Sequence, residues 1–208
     1  MPSSDRFLLL QECLAVIRDL HRRKKRSVSS HLNLIVFRFA CCCGLRRSEI
    51  AGLKFTDLVL AGPRPCVIVR RDNTKGQKEK RRSRKVPLNW DAGTLKDITE
   101  WVERRHKKMG ATPNDPVICG VSKVNYGKPL TGWLLARRWK AAIRCLGPER
   151  RAQLSIHCGR HSFTALAFDA GHSAAELQEA LGHSSIHTTS VYIHAIPRDV
   201  PDVFAVRT

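Results

Sequence analysis

The stretch from residue 157 to residue 192 constrains this chain most, because it predicts two consecutive helices of fixed length. Apolar residues recur at helical spacing over residues 163–170. Gly171 follows as a typical C-cap residue. Ser173 is a typical N-cap residue, and it predicts a second, shorter helix that ends at Gly182. The stretch therefore predicts a helix, a tight turn, a short helix and a last turn.

Four polar side chains stand in this stretch, namely His157, Arg160, His183 and Tyr192. His157 and Arg160 are three residues apart, so on a helix they share a face. Arginine is a permanent cation whose fork fits phosphate, histidine can donate to a phosphoryl oxygen or move a proton, and a tyrosine hydroxyl is a candidate nucleophile. Any one of these residues alone is more often structural, so the combination and its spacing carry the signal.

The order H-x-x-R, then L-G-H, then Tyr192 nine residues later resembles the C-terminal half of the tyrosine recombinase, or phage integrase, family. Upstream, G-L-R-R-S-E-I at residues 44–50 and L-x-x-x-D-L at 53–58 resemble the first signature of that family. The resemblance implies that Arg46 is the first catalytic arginine and that Glu49 supports it. Many relatives carry Leu where this chain has Gly159, and we therefore expect a looser turn before Arg160.

Residues 66–69 and 84–88 predict two β-strands, and the segment from residue 70 to 85 holds nine basic and two acidic residues. Such a charge run is usually a solvated hairpin. Here T-K-G-x-K followed by V-P-L resembles the family's hairpin, which enters the DNA minor groove and carries a catalytic lysine. That implies Lys75 for this role, with Lys78 as the alternative. The DNA contacts implied for the hairpin are Arg70, Arg71, Lys78, Lys80, Arg81, Arg82 and Arg84.

Apolar periodicity predicts further helices over residues 5–23, 31–43, 91–109 and 131–145. We expect Ser3 or Ser4 to cap the first helix and Ser29–Ser30 to cap the second, and we expect Trp133 and Trp139 to pack inward. The resemblance implies an α+β, mainly helical fold, in which a small antiparallel sheet packs on the helical core of an integrase-type catalytic domain. It also implies a catalytic domain at 1–194 and a tail at 195–208 that docks on a neighbouring protomer. Typical members carry a separate core-binding domain before the catalytic domain, and we expect none here, because the few residues that precede Arg46 belong to the catalytic domain itself.

The chain carries 37 Lys and Arg against 18 Asp and Glu, a net charge of +19 over 208 residues. Such an excess favours a polyanionic partner, with nucleic acid first and a membrane surface second. We expect no membrane span, because no stretch of 18 uninterrupted apolar residues occurs. The N-terminus lacks the order of a signal peptide, so we expect the protein in the cytosol, at the nucleoid, with its eight cysteines reduced.

The resemblance implies a site-specific recombinase that breaks and rejoins DNA through a 3′-phosphotyrosyl intermediate, without metal, ATP or another cofactor. In that mechanism Tyr192 is the nucleophile, Arg46 and Arg160 hold the phosphate, and His183 donates to it. His157 acts as a base or a hydrogen-bond partner of the phosphate, and Lys75 acts as the general acid. The implied partners are double-stranded DNA, three further copies in a homotetramer on DNA, and accessory DNA-bending proteins.

Four alternatives to an active recombinase remain from the sequence: a gene remnant, a non-catalytic regulator, a topoisomerase and a zinc protein. The chain resembles short recombinases that invert fimbrial promoter segments and lack the core-binding domain, and it could equally be a truncated gene remnant. It could be a DNA-binding regulator without catalysis, or a type IB topoisomerase that uses the same residues. A zinc protein is the fourth, since His157, Cys158, His161, His183 and His187 cluster in sequence, although neighbouring arginines would repel a dication.

Overall fold

The computed structural model describes residues 7–70 and 83–182. The α-helices of these residues are α1 (Leu10–Lys24), α2 (Val28–Phe37), α3 (Arg47–Gly52), α4 (Ala92–Met109), α5 (Gly132–Ala142), α6 (Pro148–Gln153), α7 (Ile156–Asp169) and α8 (Ala174–Leu181). The strands are β1 (Leu58–Val59), β2 (Cys66–Val69) and β3 (Arg84–Pro87), and they form one antiparallel sheet in the order β1-β2-β3. The predicted mainly helical fold with a small antiparallel sheet is confirmed.

Helix α2 is the centre of the core, because residues 31–41 are buried without interruption. A helix that is apolar all round is expected in this position. It continues into a π-helical turn, Arg38–Cys42, before the chain reaches Gly44. The helix begins at Val28, after the N-cap residue Ser27, and not after the predicted Ser29–Ser30 cap. All three serines are typical N-cap residues, so composition alone could not choose among them.

Helix α1 begins at Leu10 and not at residue 5, because the Glu12 carboxylate accepts a hydrogen bond from the Leu9 N–H at 2.8 Å and so fixes the first turn there. The two predicted caps, Ser3 and Ser4, lie outside the described residues.

Helix α4 matches its prediction within a residue, since Asp91 caps its start and Gly110 ends it.

The two tryptophans of α5 differ in burial. Trp139 is buried, stacks on Phe37 at 5.7 Å between ring centroids, and donates its indole N–H to the Leu154 carbonyl at 2.9 Å. Trp133 is 65% exposed, with the Arg137 guanidinium 4.8 Å from its ring centroid, so the prediction that it packs inward is wrong. Six residues at about 100° each place the two side chains on different helix faces. Helix α5 itself ends at Ala142, before the predicted residue 145.

All eight cysteines lie in the described part of the chain and are free thiols, and six of them are buried. Burial raises the pKa of Cys41 and of Cys43 well above the ordinary value, so both thiols stay protonated and pack as small apolar groups. Among residues 7–70 and 83–182, no helix is long and apolar enough to cross a membrane.

Candidate active site

Arg46 stands at the N-terminus of α3, directly after the chain reverses at Gly44. Gly44 has a φ of +62°, and a Cβ there would lie 2.5 Å from Cδ1 of Phe163, so both conformation and space require glycine. Arg46 donates its backbone N–H and its Nη1 to the Glu49 carboxylate at 2.7 and 2.9 Å. Its side chain stays 24% exposed. The predicted contact between Glu49 and Arg46 is therefore present.

Arg160 lies in the second turn of α7 and is 7% exposed. It donates Nη1 to the Gly44 carbonyl at 2.7 Å and Nη2 to the Leu181 carbonyl at 2.6 Å. Gly44 precedes Arg46 by two residues, and Leu181 precedes His183 by two. One guanidinium therefore joins two segments that are far apart in sequence and that each lead to a predicted site residue.

Helix α8 delivers its C-terminal end to the same place. Ser173 caps its start, as predicted, and Gly182 ends it in the left-handed conformation with a φ of +63°. The last carbonyls of a helix have no partners inside it and attract cations. Here Arg84 donates Nε to the Ala180 carbonyl at 2.8 Å, next to the Leu181 carbonyl that Arg160 takes. Two arginines therefore cap the turn that leads to His183.

Arg84 also forms a bidentate ion pair with Glu49. Nη1 and Nη2 of Arg84 donate to Oε1 and Oε2 of Glu49 at 2.9 and 2.8 Å, and the Arg84 side chain is only 7% exposed. Burial raises the pKa of Glu49, but the hydrogen bonds from Arg84 and the charges of Arg84 and Arg46 outweigh it, so that this pKa lies below its ordinary value. The Arg84 guanidinium is therefore engaged inside the protein, and a DNA contact by Arg84 stays a prediction.

Arg70, at the other end of the basic segment, is also paired. It donates Nη2 to the Thr56 hydroxyl at 2.7 Å and Nε to the Asp57 carboxylate. Its side chain is nevertheless 46% exposed, so a DNA contact by Arg70 stays a prediction.

His157 lies in the first turn of α7, one turn before Arg160, and its side chain is exposed. Residues three apart on a helix lie on neighbouring parts of one face. His157 therefore lies on the same face of α7 as Arg160, which donates to the Gly44 and Leu181 carbonyls. The role of His157 at a phosphate stays a prediction.

The other predicted site residues lie outside the part of the chain that the structure describes. They are Lys75, His183 and Tyr192 among the predicted catalytic residues, and Arg71, Lys78, Lys80, Arg81 and Arg82 among the predicted DNA contacts.

Gly159 makes a close helix contact and does not loosen the turn before Arg160. A Cβ at this position would lie 2.8 Å from the Ala40 Cβ, 3.1 Å from the Ala40 carbonyl carbon and 3.2 Å from the Cys41 Sγ. Gly159 therefore lets α7 lie directly against the π-helical turn, and this approach places Arg160 within reach of Gly44. The expectation of a looser turn is wrong, because the missing side chain is replaced by direct contact with the neighbouring backbone.

We predict that Gly159→Ala lowers the midpoint of thermal unfolding. Alanine in a helix interior gains about 1 kcal/mol over glycine, but forcing a methyl group into a filled contact typically costs about 1–3 kcal/mol. Gly132→Ala is the matched control, because a Cβ at Gly132 would meet only the Arg47 side chain at an ordinary 3.4 Å. Calorimetry on both variants tests this: a Gly159→Ala protein as stable as Gly132→Ala would contradict the close contact.

No group of three or more His, Cys, Asp or Glu side chains is placed to hold a metal ion within residues 7–70 and 83–182. The zinc alternative also needs His183 and His187, which fall outside these ranges. It therefore stays untested by the geometry.

The pattern that defines the phage integrase family matches residues 11–198. The chain belongs to the phage integrase family. The match includes every predicted catalytic position from Arg46 to Tyr192, so the resemblance drawn from the motifs is confirmed.

Curated relatives of this integrase-family chain include several tyrosine recombinases. XerH of Helicobacter pylori is 28% identical over 162 residues, which is 78% of this chain and 41% of the relative. XerC of Roseiflexus sp. is 31% identical over 154 residues, 73% of this chain and 44% of the relative. XerD of Lacticaseibacillus casei is 31% identical over 160 residues, 76% and 49% respectively. The chain thus spans about half the length of the curated relatives it matches.

Solved structures of the family share the fold. The XerH recombinase bound to palindromic difH substrate, a post-cleavage complex, has a TM-score of 0.68 at 24% identity and covers 90% of this chain and 49% of that one. A lambda integrase dimer bound to a COC′ core site has a TM-score of 0.61 at 17% identity, over 95% of this chain and 50% of that one. The integrase-type fold expected from the motifs is confirmed.

Proposed function

We propose that this chain carries the catalytic machinery of a site-specific DNA recombinase, which cuts and rejoins strands through a 3′-phosphotyrosyl intermediate. The observation that carries the proposal is the position of Arg160, which holds the Gly44 and Leu181 carbonyls together. It brings the segment that ends in Arg46 next to the turn that leads to His183. Family membership supports the same chemistry, since the relatives named above are tyrosine recombinases.

In the proposed cleavage step the Tyr192 oxygen attacks a phosphodiester phosphorus. The bond to the 5′-oxygen breaks, which leaves a 3′-phosphotyrosyl link and a free 5′-hydroxyl. Negative charge builds on the non-bridging oxygens, where forked donors from Arg46 and Arg160 stabilise it and His183 donates a further hydrogen bond. Lys75 protonates the leaving oxygen, and His157 accepts the tyrosine proton or bonds to the phosphate.

Rejoining is the reverse of this step with a different strand. The phosphotyrosyl bond retains the energy of the broken phosphodiester, so the 5′-hydroxyl of a partner strand can attack it and release Tyr192. Atoms and charge balance without nucleotide hydrolysis, and the proposed mechanism includes no cofactor.

The proposed substrate is double-stranded DNA, which the net charge of +19 suits. We also propose that four copies act together on two DNA sites in the nucleoid, assisted by DNA-bending proteins. Residues 1–194 would form the catalytic domain, and residues 195–208 would dock on a neighbouring copy. Related solved proteins bound to DNA substrates, including XerH and lambda integrase, support the DNA partner.

A strand-exchange assay tests this function against the alternatives. Two labelled duplexes that carry DNA flanking the protein's own gene are mixed with the protein, and new junctions are sequenced. A recombinase gives junctions between the two duplexes, whereas a type IB topoisomerase only relaxes a supercoiled plasmid with the same DNA. A binding regulator does neither, although it retains specific affinity.

The basic segment gives a further prediction. Changing Lys80, Arg81 and Arg82 together to Gln should weaken binding to all DNA sequences alike. If each contacts a phosphate, the slope of log affinity against log salt flattens by about 0.9 per contact. The matched control changes three cations of α4, Lys96, Lys107 and Lys108, to Gln, which alters net charge equally. Fluorescence anisotropy across a salt series measures both slopes, and equal slopes for the two variants would contradict a DNA-contacting segment.

A further inference from the structure

We propose that Arg84 is a positioning residue of this active site, which joins Glu49 to the last turn of α8 and thereby aligns Arg46 with the segment that leads to His183. The inference rests on the proposed recombinase function. It assigns a task to an arginine that the charge run had suggested as a DNA contact.

All three guanidinium nitrogens of Arg84 are used inside the protein. Nη1 and Nη2 each donate to one oxygen of Glu49, and Nε donates to the Ala180 carbonyl, at 2.8–2.9 Å. A lysine offers one nitrogen and could not bridge a carboxylate and a helix end in this fixed geometry. The arrangement therefore needs the planar fork of arginine.

Glu49 transmits this fixation to Arg46. Its Oε1 accepts from Nη1 of both arginines, and its Oε2 accepts from Nη2 of Arg84 and from the backbone N–H of Arg46. A carboxylate has about four acceptor positions, so these four donors saturate it. Glu49 is fully buried and cannot turn to water. Within residues 7–70 and 83–182, loss of Arg84 would leave Glu49 with Arg46 as its single counterion and draw the Arg46 guanidinium inward.

The contacts close into a ring. From Arg46 the ring passes through Glu49 and Arg84 to the Ala180 carbonyl. From the adjacent Leu181 carbonyl it passes through Arg160 to the Gly44 carbonyl, two residues before Arg46. Arg84 and Arg160 thus hold the end of α8 against the Arg46 segment from two sides. Charge-assisted bonds in a closed arrangement fix direction as well as distance.

The buried pair of Glu49 and Arg84 is better explained by the need to align catalytic groups than by a contribution to the free energy of unfolding. Replacing a buried ion pair with apolar groups is often neutral or stabilising, so stability alone is a weak reason for Glu49 and Arg84. Alignment of catalytic groups, in contrast, is needed to within about 0.5 Å. Arg84 also lies at the C-terminal end of the basic segment that holds Lys75, and its backbone pairs in register with Val69. It therefore anchors one end of that segment at the site.

The test compares Arg84→Met and Arg84→Lys with Arg105→Met. Arg105 is a buried arginine outside the ring, whose Nη1 donates to the Pro116 and Val117 carbonyls at 3.1 and 3.3 Å. Its loss reports what removing any buried arginine does. The free energy of unfolding of each protein is first measured by urea titration, and a temperature is chosen at which all the proteins are folded. Single-turnover formation of the covalent adduct on a nicked duplex is then measured at saturating protein. DNA affinity is measured on the same duplex by titration with protein.

We expect Arg84→Met to slow adduct formation at least about tenfold while affinity changes less than about twofold, since misplacement of a reacting group costs rate more than binding. Arg84→Lys should recover only part of the rate. Arg105→Met should match the wild-type rate once folded. A double variant that combines Arg84→Met with Glu49→Gln should be no slower than the slower single variant, because Arg84 acts through Glu49. An Arg84→Met rate equal to that of Arg105→Met would overturn the inference.

A second readout does not need catalysis. In ¹⁵N spectra of the arginine side chains of the free protein, the Arg46 guanidinium signal should shift in Arg84→Met and stay unchanged in Arg105→Met. An unchanged Arg46 signal in Arg84→Met would overturn the inference even if the wild-type protein cleaves DNA. If the wild-type protein forms no adduct, the proposed function fails, and this signal still decides whether Arg84 positions Arg46.

Discussion

Arg160→Ala is expected to abolish measurable cleavage and also to destabilise the protein. Loss of one transition-state donor typically lowers a rate by roughly 10²–10³. The Gly44 and Leu181 carbonyls would lose their buried donors as well, and an unsatisfied buried group costs about 1–3 kcal/mol. The measurement is single-turnover adduct formation at a temperature where urea unfolding shows the variant folded, together with its free energy of unfolding.

Arg46→Ala is the matched comparison, because Arg46 is partly exposed and Glu49 keeps Arg84 as a partner. We expect a similar loss of rate with a much smaller loss of stability. DNA affinity should fall in both variants by only about one phosphate contact, roughly 1 kcal/mol. Arg160→Lys keeps the charge but loses the fork, so it should stay strongly impaired. Wild-type cleavage by Arg160→Lys would show that the guanidinium is not needed at the phosphate.

Tyr192→Phe is expected to bind DNA normally and to form no covalent adduct. The phenol has an ordinary pKa of ~10, so it reacts at neutral pH only beside a base or several cations, which the two arginines and the histidines supply in the proposed mechanism. The variant removes one oxygen and leaves the ring, so binding should not change. Denaturing gel electrophoresis of a reaction with labelled DNA detects the adduct.

Tyr126→Phe is the control, since Tyr126 is the second of the two tyrosines in the chain and lies half-exposed, outside every motif named above. It should form adduct at the wild-type rate. Adduct formation by Tyr192→Phe, or its loss in Tyr126→Phe, would remove Tyr192 from the role of nucleophile.

Local patterns predicted the elements of this fold well where one physical cause dominates. The apolar character of residues 31–41 predicted a core helix, and the Ser173 and Gly182 caps predicted both ends of α8. Apolar periodicity predicted a helix over residues 91–109, within a residue of the observed bounds of α4. In each case the signal lies within a few residues of the feature it describes.

The features that the sequence did not predict depend on partners that are distant in sequence. Arg84 stands in a run of cations, and nothing near it shows that Glu49, 35 residues earlier, lies buried beside it. Gly159 departs from a family preference for Leu, and its reason is the Ala40 backbone. Trp133 is a large apolar residue of the kind usually found in a core, but it lies on a different face of α5 from the buried Trp139. Motif spacing named Arg46 and Arg160 as site residues but could not show the carbonyls that join their segments.

The most direct test of the central claim is to trap the covalent intermediate and locate its bond. A nicked duplex carrying DNA from beside the gene, with the 5′-hydroxyl fragment free to diffuse away, is incubated with the wild-type protein, and the adduct is digested and sequenced by mass spectrometry. The account predicts a DNA 3′-phosphate on Tyr192, and no such product from Arg160→Ala. A DNA link on Tyr126 or on any other residue, or an equal yield of adduct from Arg160→Ala, would contradict it.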